Sequence, residues 1–188
     1  MKFHGDKTLI LTVVVATGSL LLAACSSVPK WVDKGGGYMT AKDGKAFYGV
    51  GAVTGIRNEP LAKETADNRA RADLAKYVDT YTSYLMRDYA ASTTSGDFTK
   101  TSEEQNVERA LKTFVSTHLS GVTVVDRWEK DDKTGKIIYS LAKLDLDKFK
   151  DQVGQLKELN DAARDFVRKN AEKAFERLQQ EEDKRGAK

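Results

Sequence analysis

The stretch Phe47-Tyr48-Gly49-Val50-Gly51-Ala52-Val53 decides the fold of this chain. Its aromatic and β-branched residues predict a strand, and its small residues allow another element to approach the backbone closely. A helix is predicted to follow, with Asn58 as its N-cap and Pro60 in its first turn. One apolar stripe along this helix contains alanines, which allow it to lie close to the strand. The stripe consists of Leu61, Ala66, Ala70, Leu74, Val78, Tyr81 and Leu85.

A second helix is predicted after a loop that is rich in Ser, Thr and Gly at 91–101. The β-favouring residues 79–84 also allow the first helix to end early. Ser102-Glu103-Glu104-Gln105 is a capping-box pattern that opens the second helix, and Gly121 is predicted to end it. Its core face is predicted to comprise Val107, Ala110, Leu111, Phe114, Val115 and Leu119.

The last third of the chain predicts a hairpin and a long helix. Residues 122–128 and 137–142 favour two strands, which Asp131-Asp132-Lys133-Thr134-Gly135 joins as a turn. From Leu146 to about Arg185, an apolar seam among many charges predicts one continuous helix. This element order predicts an α+β fold in which a small antiparallel sheet carries helices on one face.

The composition excludes several classes of protein. The chain has 188 residues, of which 40% are hydrophobic and 31% charged, with 2 Pro and 1 Cys. It is therefore too apolar to be disordered throughout, and it is neither collagen-like nor a disulfide scaffold. Its 31 basic and 28 acidic residues leave a net charge of +3, so we expect no nucleic-acid partner.

The N-terminus has the pattern of an export signal. Lys2 and Lys7 precede an uncharged stretch, 8–24, that is dominated by Leu, Ile, Val and Ala. Its end, Leu22-Ala23-Ala24-Cys25, resembles the lipobox of bacterial lipoproteins at all four positions. The resemblance implies cleavage before Cys25, acylation there and, because Ser26 follows, sorting to the outer membrane. A short transmembrane anchor and an incidental thiol are the alternatives.

These patterns divide the chain into four parts. Residues 1–24 are predicted to be a lipoprotein signal peptide, and 25–46 a lipidated N-terminus and tether. Residues 47–153 form the α+β domain, and 154–188 form a charged helical extension whose last turns project into water. Within the tether, the apolar side chains of Trp31, Val32 and Tyr38 are predicted to dock on the domain.

Several patterns resemble chemical sites, and each has a structural interpretation that we prefer. Residues 49–55 resemble a dinucleotide-binding turn, but Thr54 stands in place of the third glycine. Asp132-Lys133-Thr134-Gly135 matches the phosphorylated loop of P-type ATPases and is interpreted as a hairpin turn. His118 is the only histidine that remains after the predicted cleavage, so no second histidine could hold a metal with it. The acidic pair Glu103-Glu104 is interpreted as a helix start, so no catalytic, cofactor or metal site is predicted.

Two further groups of residues have surface alternatives. Tyr77, Tyr81, Tyr84 and Tyr89 share a helical spacing that indicates packing, with a sugar- or peptide-binding surface as the alternative. An approximately heptad seam in the last helix predicts either packing on the domain or a helical homo-oligomer whose register two asparagines set. The seam consists of Val153, Leu156, Asn160, Ala163, Val167, Asn170 and Ala174.

From Trp31 to Val153, the order of several short motifs resembles the LPP-twenty lipoprotein family. The motifs are Trp31-Val32, residues 47–52, Ala66-x-x-x-Ala70-Arg71-x-x-Leu74-Ala75, Gly121-Val122, Val125-Asp126-x-Trp128 and Tyr139-x-Leu141-Ala142. The resemblance implies an outer-membrane lipoprotein with a sheet-and-helix fold and no known catalytic residues. Some relatives form rings or disks around the flagellar basal body.

We therefore expect a non-catalytic outer-membrane lipoprotein with a structural or protein-interaction role in the cell envelope, with the flagellum as one location. Its only predicted site residue is Cys25, for lipidation. Its expected partners are the membrane, through acyl chains on Cys25, and envelope proteins, with a homo-oligomer as a further alternative. The alternative function is a periplasmic module that binds peptidoglycan fragments or a partner protein through the tyrosine-bearing helix.

Overall fold

The computed structural model describes residues 27–36, 45–93, 100–118, 122–133 and 135–186. Within these residues the chain forms five helices and three strands. In chain order they are α1 (Lys30–Lys34), β1 (Ala46–Thr54), α2 (Glu59–Thr93), α3 (Lys100–His118), β2 (Thr123–Asp132), β3 (Gly135–Asp145), α4 (Leu146–Gly154) and α5 (Asp161–Gly186).

The three strands form one antiparallel sheet in the order β1-β3-β2. Gly51 pairs with Ser140 across β1 and β3, and Trp128 pairs with Tyr139 across the β2–β3 hairpin. A bulge at Val125 shifts the register of β2, and this side chain is 48% exposed. The predicted α+β fold with a small antiparallel sheet is therefore confirmed, and the hairpin lies where the sequence predicted it.

Helix α2 packs on β1 at the predicted glycines. Because side chains alternate along a strand, Gly49 and Gly51 face the same side of the sheet, which we call the inner face. A Cβ atom added at Gly51 would lie less than 3.0 Å from backbone atoms of Ala66 and Ala70. At Gly49 it would come equally close to Leu74. The strand and the helix are therefore in near-backbone contact, as the small residues on both elements predicted.

The start of α2 is confirmed, but one member of its predicted stripe is wrong. Asn58 Oδ1 accepts a hydrogen bond from the backbone N–H of Leu61 at 3.0 Å, which makes Asn58 the N-cap. The Leu61 side chain is 51% exposed, whereas Ala62 is 3% exposed and faces the core. The buried apolar positions recur every four residues from Ala62 to Val78, and Leu61 is one residue out of step with them.

Helix α2 does not end early, because its β-favouring segment is buried in the core. Tyr81 and Thr82 of this segment are buried there, so tertiary packing outweighs their local preference. The centre of this core is a group of aromatic rings in edge contacts. Phe47 lies 4.9 Å from Tyr81 and 5.1 Å from Phe175 between ring centroids. The rings join β1, α2 and α5.

The prediction of one continuous helix after residue 146 is wrong, because six residues separate α4 from α5. Asn160 caps the start of α5, since its Oδ1 accepts a hydrogen bond from the Ala163 N–H at 2.8 Å. The Arg164 guanidinium donates to the Leu156 carbonyl at 2.8 Å and holds the connection. Leu159 is buried within it, so the apolar seam continues through a segment that is not helical.

Helix α5 packs on the main core as far as Leu178, which is one of the two alternatives that its apolar seam predicted. The side chains of residues 179–184, in the last turns, are intermediate or exposed. The seam that suggested a helical homo-oligomer is used within the chain, and Asn170 donates its side-chain amide to the Phe166 carbonyl at 2.9 Å. The oligomer that depended on this seam is therefore not supported by the packing. The fully buried side chains of α5 are Ala163, Val167, Ala171, Ala174, Phe175 and Leu178.

Helix α3 packs against α2 through the predicted positions Val107, Leu111, Phe114 and Val115, which are buried. Ala110 is partly buried beside them, whereas Leu119 and Gly121 lie outside the described residues. The helix begins at Lys100, so the predicted opening at Ser102 is two residues late. The four longer helices contribute to one core on the inner face, as predicted, and α1 lies on the opposite face.

Candidate functional site

The predicted lipidation residue, Cys25, lies outside the described residues. Part of the predicted tether docks on the sheet only a few residues after Cys25, because α1 begins at Lys30 and packs there through Trp31. Trp31 is 6% exposed, and Val32 packs beside it, so both of these predicted docking residues are confirmed. Tyr38, the third of them, lies outside the described residues.

Trp31 docks on the side of the sheet that is opposite α2, which we call the outer face. There the strands alternate so that apolar and aromatic side chains of all three strands point away from the main core. The outer face consists of Ala46, Tyr48, Val50, Trp128, Tyr139 and Leu141, with Trp31 and Val32 of α1 packed on it.

Asp126 connects α1 to β2 at the edge of the outer face. The indole Nε1–H of Trp31 donates to Asp126 Oδ2 at 3.0 Å. The other carboxylate oxygen, Oδ1, accepts the backbone N–H of Arg127 at 2.8 Å. A single carboxylate therefore binds both the docked N-terminal helix and the backbone of the outermost strand.

The aromatic part of the outer face is only partly covered. Trp128 and Tyr139 lie side by side with their ring centroids 5.5 Å apart, and both are partly buried. Aromatic side chains that combine a large apolar area with a polar group are enriched at protein interfaces. The outer face, on which Trp31 docks six residues after Cys25, is therefore the candidate interaction site of this chain.

The inner face carries a buried polar cluster that joins α2 to β2 and β3. The Arg127 guanidinium binds Asp67 with two hydrogen bonds, of 2.9 and 2.6 Å. The hydroxyl of Ser140, which is 0% exposed, donates to Asp67 Oδ1 at 2.7 Å. Burial by itself would raise the pKa of Asp67, but these hydrogen bonds, with the charges of Arg127 and Arg71, lower it below its ordinary value.

This cluster has the chemistry of a structural clamp rather than of a nucleophilic site. The Ser140 hydroxyl is fully buried and bonds to a carboxylate that an arginine already neutralises. A nucleophilic serine requires a base that takes its proton, and an ionised, arginine-paired carboxylate with a lowered pKa is a poor base. No local sequence pattern indicates this cluster, because Asp67 is 60 residues from Arg127 and 73 residues from Ser140.

The predicted packing role is confirmed for the tyrosines whose environment is buried. Tyr81 is fully buried, and its hydroxyl donates to the Ala171 carbonyl at 3.0 Å. Burial raises the pKa of this phenol. Tyr89 is buried against Phe166, and the Tyr84 hydroxyl bonds Glu181 on α5. The tyrosine-bearing helix therefore turns these side chains toward α5, and the proposed binding surface on it is wrong for Tyr81 and Tyr89.

The other motifs take structural roles where the structure describes them. Residues 49–55 lie against α2 or in the connection to it, with no space for a nucleotide between strand and helix. Asp132 closes the hairpin opposite Gly135, which confirms the predicted turn. The side chains of Glu103-Glu104 and His118 lie outside the description. Among the described residues no group of three or more His, Cys, Asp or Glu is placed to hold a metal ion.

Within the same part of the chain, no helix has the length and apolar character that crossing a bilayer requires. Comparison of the chain with protein-family models, with curated proteins and with solved structures gives no match. The resemblance to the LPP-twenty family therefore stays a prediction.

Proposed function

We propose that this protein is a lipid-anchored component of the outer membrane that binds other envelope proteins and catalyses no reaction. The lipobox-like end of the export signal, Leu22-Ala23-Ala24-Cys25, supports the anchor. Acyl chains contribute about 0.8 kcal/mol per buried CH₂ group, so several chains on one cysteine hold a protein at a bilayer almost permanently.

The observation that carries the proposal is that Trp31 docks on the sheet six residues after Cys25. Six residues span at most about 20 Å when fully extended. An acylated Cys25 would therefore hold the outer face close to the bilayer, instead of leaving the domain on a long flexible tether. A protein held at this distance is suited to contact neighbours at the membrane surface.

A binding role is supported by the contrast between buried polar groups that bind elements of the fold to each other and aromatic side chains that are only partly covered. The buried carboxylate of Asp67 binds α2 to the sheet, and the buried hydroxyl of Tyr81 binds α2 to α5. The partly covered aromatic side chains of Trp128 and Tyr139 instead lie on the outer face, next to the docked α1. We propose that envelope partners bind this face.

Metabolic labelling with a fatty acid tests the anchor. The wild-type chain and a Ser27→Ala control are expected to incorporate label and to fractionate with outer membranes, whereas Cys25→Ala is expected to do neither. The two substitutions are two residues apart in the same segment, so export defects that are unrelated to acylation would affect both. Equal label in the wild-type chain and in Cys25→Ala would refute the anchor.

A place at the flagellar basal body is the more specific proposal, and only the LPP-twenty resemblance supports it. Deletion of the coding sequence is expected to reduce motility, and the wild-type chain is expected to restore it. Normal motility of the deletion strain would contradict the flagellar role while leaving the anchor intact.

A second candidate function is binding of peptidoglycan fragments, which the exposed part of the outer face favours. Trp128 and Tyr139 present adjacent rings there, whereas Tyr81 and Tyr89 of α2 are buried. Co-sedimentation with purified peptidoglycan is expected to fall in Trp128→Ala and to be unchanged in Leu61→Ala, which removes an exposed apolar side chain from α2. Equal co-sedimentation of the two variants would exclude this function for the outer face.

A further inference from the structure

The two edges of the sheet differ in how they are covered. The β1 edge is occupied by side chains of α2, because Asp73 Oδ2 accepts the Val50 N–H at 3.1 Å and Arg69 donates to the Ala52 carbonyl at 2.6 Å. Gly36 also lies against Asp73. Another strand could therefore bind this edge only by displacing the side chains of Asp73 and Arg69.

Along the described residues the β2 edge is unpaired with any further strand, and its outward Arg127 N–H is bound by the side chain of the neighbouring Asp126. β2 pairs with β3 on one side, and no other described strand pairs with its second side. The Arg127 N–H donates to its neighbour Asp126 at 2.8 Å, which places this group on the second side, and Glu129 has the same backbone direction two residues later. A long strand with an unpaired side is a template for another strand.

The charges of β2 are complementary to themselves when the strand is paired with an antiparallel copy. The central residues are Asp126, Arg127, Trp128, Glu129 and Lys130. With Trp128 on a twofold axis, each Arg127, whose guanidinium binds Asp67, lies opposite Glu129 of the second copy, whose carboxylate binds Lys136. Each Asp126 lies opposite Lys130 of the second copy. Opposite charges that face each other directly across strands stabilise pairing.

We propose that a second copy of this chain binds the β2 edge and extends the two sheets into one six-stranded sheet, with Trp128 at the twofold axis. Only backbone groups that point outward can form hydrogen bonds with the second copy. The two nearest alternative registers therefore place the twofold axis at Arg127 or at Glu129. Those registers place two arginines or two glutamates directly opposite each other. The charge pattern therefore selects the Trp128 register.

Charges and a bulge on an edge strand commonly prevent pairing with other chains. Here the bulge is at Val125, outside the segment 126–130. The charges of that segment disfavour the registers centred on Arg127 and Glu129 but not the register centred on Trp128. Helix α2 lies mainly over β1 and β3, and its Asp67 side chain reaches Arg127 of β2 on the inner face. On pairing, the Arg127 N–H exchanges Asp126 for the Glu129 carbonyl of the second copy, which frees Asp126 Oδ1 for Lys130 while Oδ2 stays bound to the Trp31 indole.

Disulfide trapping of the full chain in the cells that produce it tests the register directly. Facing Trp128 positions would have Cα atoms about 4.5 Å apart, which is within disulfide range. Trp128→Cys is therefore expected to give a dimer that reductant dissolves. The matched control is Asp131→Cys, on the same strand and exposed, whose two copies would be about 20 Å apart. The wild-type chain, which contains only Cys25, gives the background.

A charge exchange tests the same pairing without changing Trp128. Lys130→Glu places two pairs of like charges in the dimer, and Asp126→Lys does the same with the opposite sign. Each is expected to weaken self-association of the detergent-solubilised chain about tenfold. An equal mixture restores every opposite-charge pair, so it is expected to form heterodimers as readily as the wild type does.

A defect in folding cannot be repaired by mixing, so recovery in the mixture assigns the effect to the interface. Equal trapping at positions 128 and 131, or a mixture that associates no better than its two components, would overturn the proposal. Neither experiment requires Cys25 to be acylated, so the proposed dimer and the proposed anchor can be refuted independently of each other. Trapping by a different protein in place of a second copy would also overturn it.

Discussion

The two faces of the sheet are held by different kinds of contact. On the inner face, Gly49 and Gly51 bring the β1 backbone almost against the backbone of α2. On the outer face, a five-residue helix is held mainly by the indole of Trp31 and its hydrogen bond to Asp126. The inner contact extends along the strand, whereas the outer contact of α1 involves the side chains of Trp31 and Val32.

This difference separates the part of the molecule that determines the fold from the part that is suited to binding. A substitution on the inner face must move a strand or a helix, because no space separates them. A substitution on the outer face can be accommodated when α1 leaves the sheet, which is local opening rather than unfolding. We therefore expect stability to depend on the inner face and binding to depend on the outer face.

The largest effect is expected from a side chain added at the inner face. Gly51→Val places its Cβ atom within 3.0 Å of backbone atoms of α2, so α2 must separate from β1. The free energy of unfolding is expected to fall by about 3 kcal/mol or more. Urea denaturation followed by circular dichroism measures this loss.

The matched control for that substitution is Ala52→Val, one residue further along β1, with its side chain on the outer side. Valine is favoured in strands, so the change in unfolding free energy is expected to stay within about 1 kcal/mol. If the two valines destabilise the protein equally, the two faces of the sheet do not differ in their contribution to stability.

The polar clamp of the inner face is expected to have the next largest effect. Asp67→Asn replaces the carboxylate that binds the Arg127 guanidinium and the Ser140 hydroxyl, and the expected loss is about 2 kcal/mol of unfolding free energy. Arg127 is partly exposed, which keeps the effect below that of a fully buried ion pair. Asp79→Asn, an exposed position on the same helix, is expected to change stability by less than about 0.5 kcal/mol.

The same clamp predicts a pH dependence with a defined sign. The pKa of Asp67 is lowered in the folded protein, so its contribution to stability is complete above the ordinary pKa of an aspartate. That contribution is lost as the pH falls through the lowered value. The stability difference between the wild type and Asp67→Asn is therefore expected to be constant near neutral pH and to shrink below about pH 4. A difference that grows on acidification would contradict this assignment.

Local patterns predicted the elements of the inner face but not the end of the helix that begins at residue 146. The strand at 47–53 and the Asn58 cap each depend on residues that are adjacent in sequence. The break between α4 and α5 was missed because Leu156, Leu159 and Ala163 continue the apolar spacing through the connection. Asn160 was the available signal, since asparagine before an acidic residue is typical of a helix start.

The outer face was less predictable, because its contacts join distant parts of the chain. The docking of Trp31 was predicted from its isolated apolar character, but its acceptor, Asp126, lies 95 residues away. The alternation of Arg127 and Trp128 in β2 shows that they face opposite sides. It does not show which of them faces α2. That choice depends on the register with β3, which is set by the hairpin and by the bulge at Val125.

The smallest effect on stability is expected at the outer face itself. Trp31→Ala removes the side chain that docks α1, but α1 can separate while the inner face stays packed. Because docking also costs the conformational entropy of ordering α1, the unfolding free energy is expected to fall by only about 1 kcal/mol. Trypsin cleavage after Lys30 and Lys34 is expected to become much faster, since both lie in the released helix.

Trp31→Phe distinguishes the two parts of this contact, because it keeps an aromatic ring and removes the hydrogen bond to Asp126. Its cleavage rate is expected to lie between those of the wild type and Trp31→Ala. A loss of stability in Trp31→Ala as large as that in Gly51→Val would mean that the outer face is part of the folding core. The outer face would then not be free to change its contacts, and binding there would have to leave α1 in place.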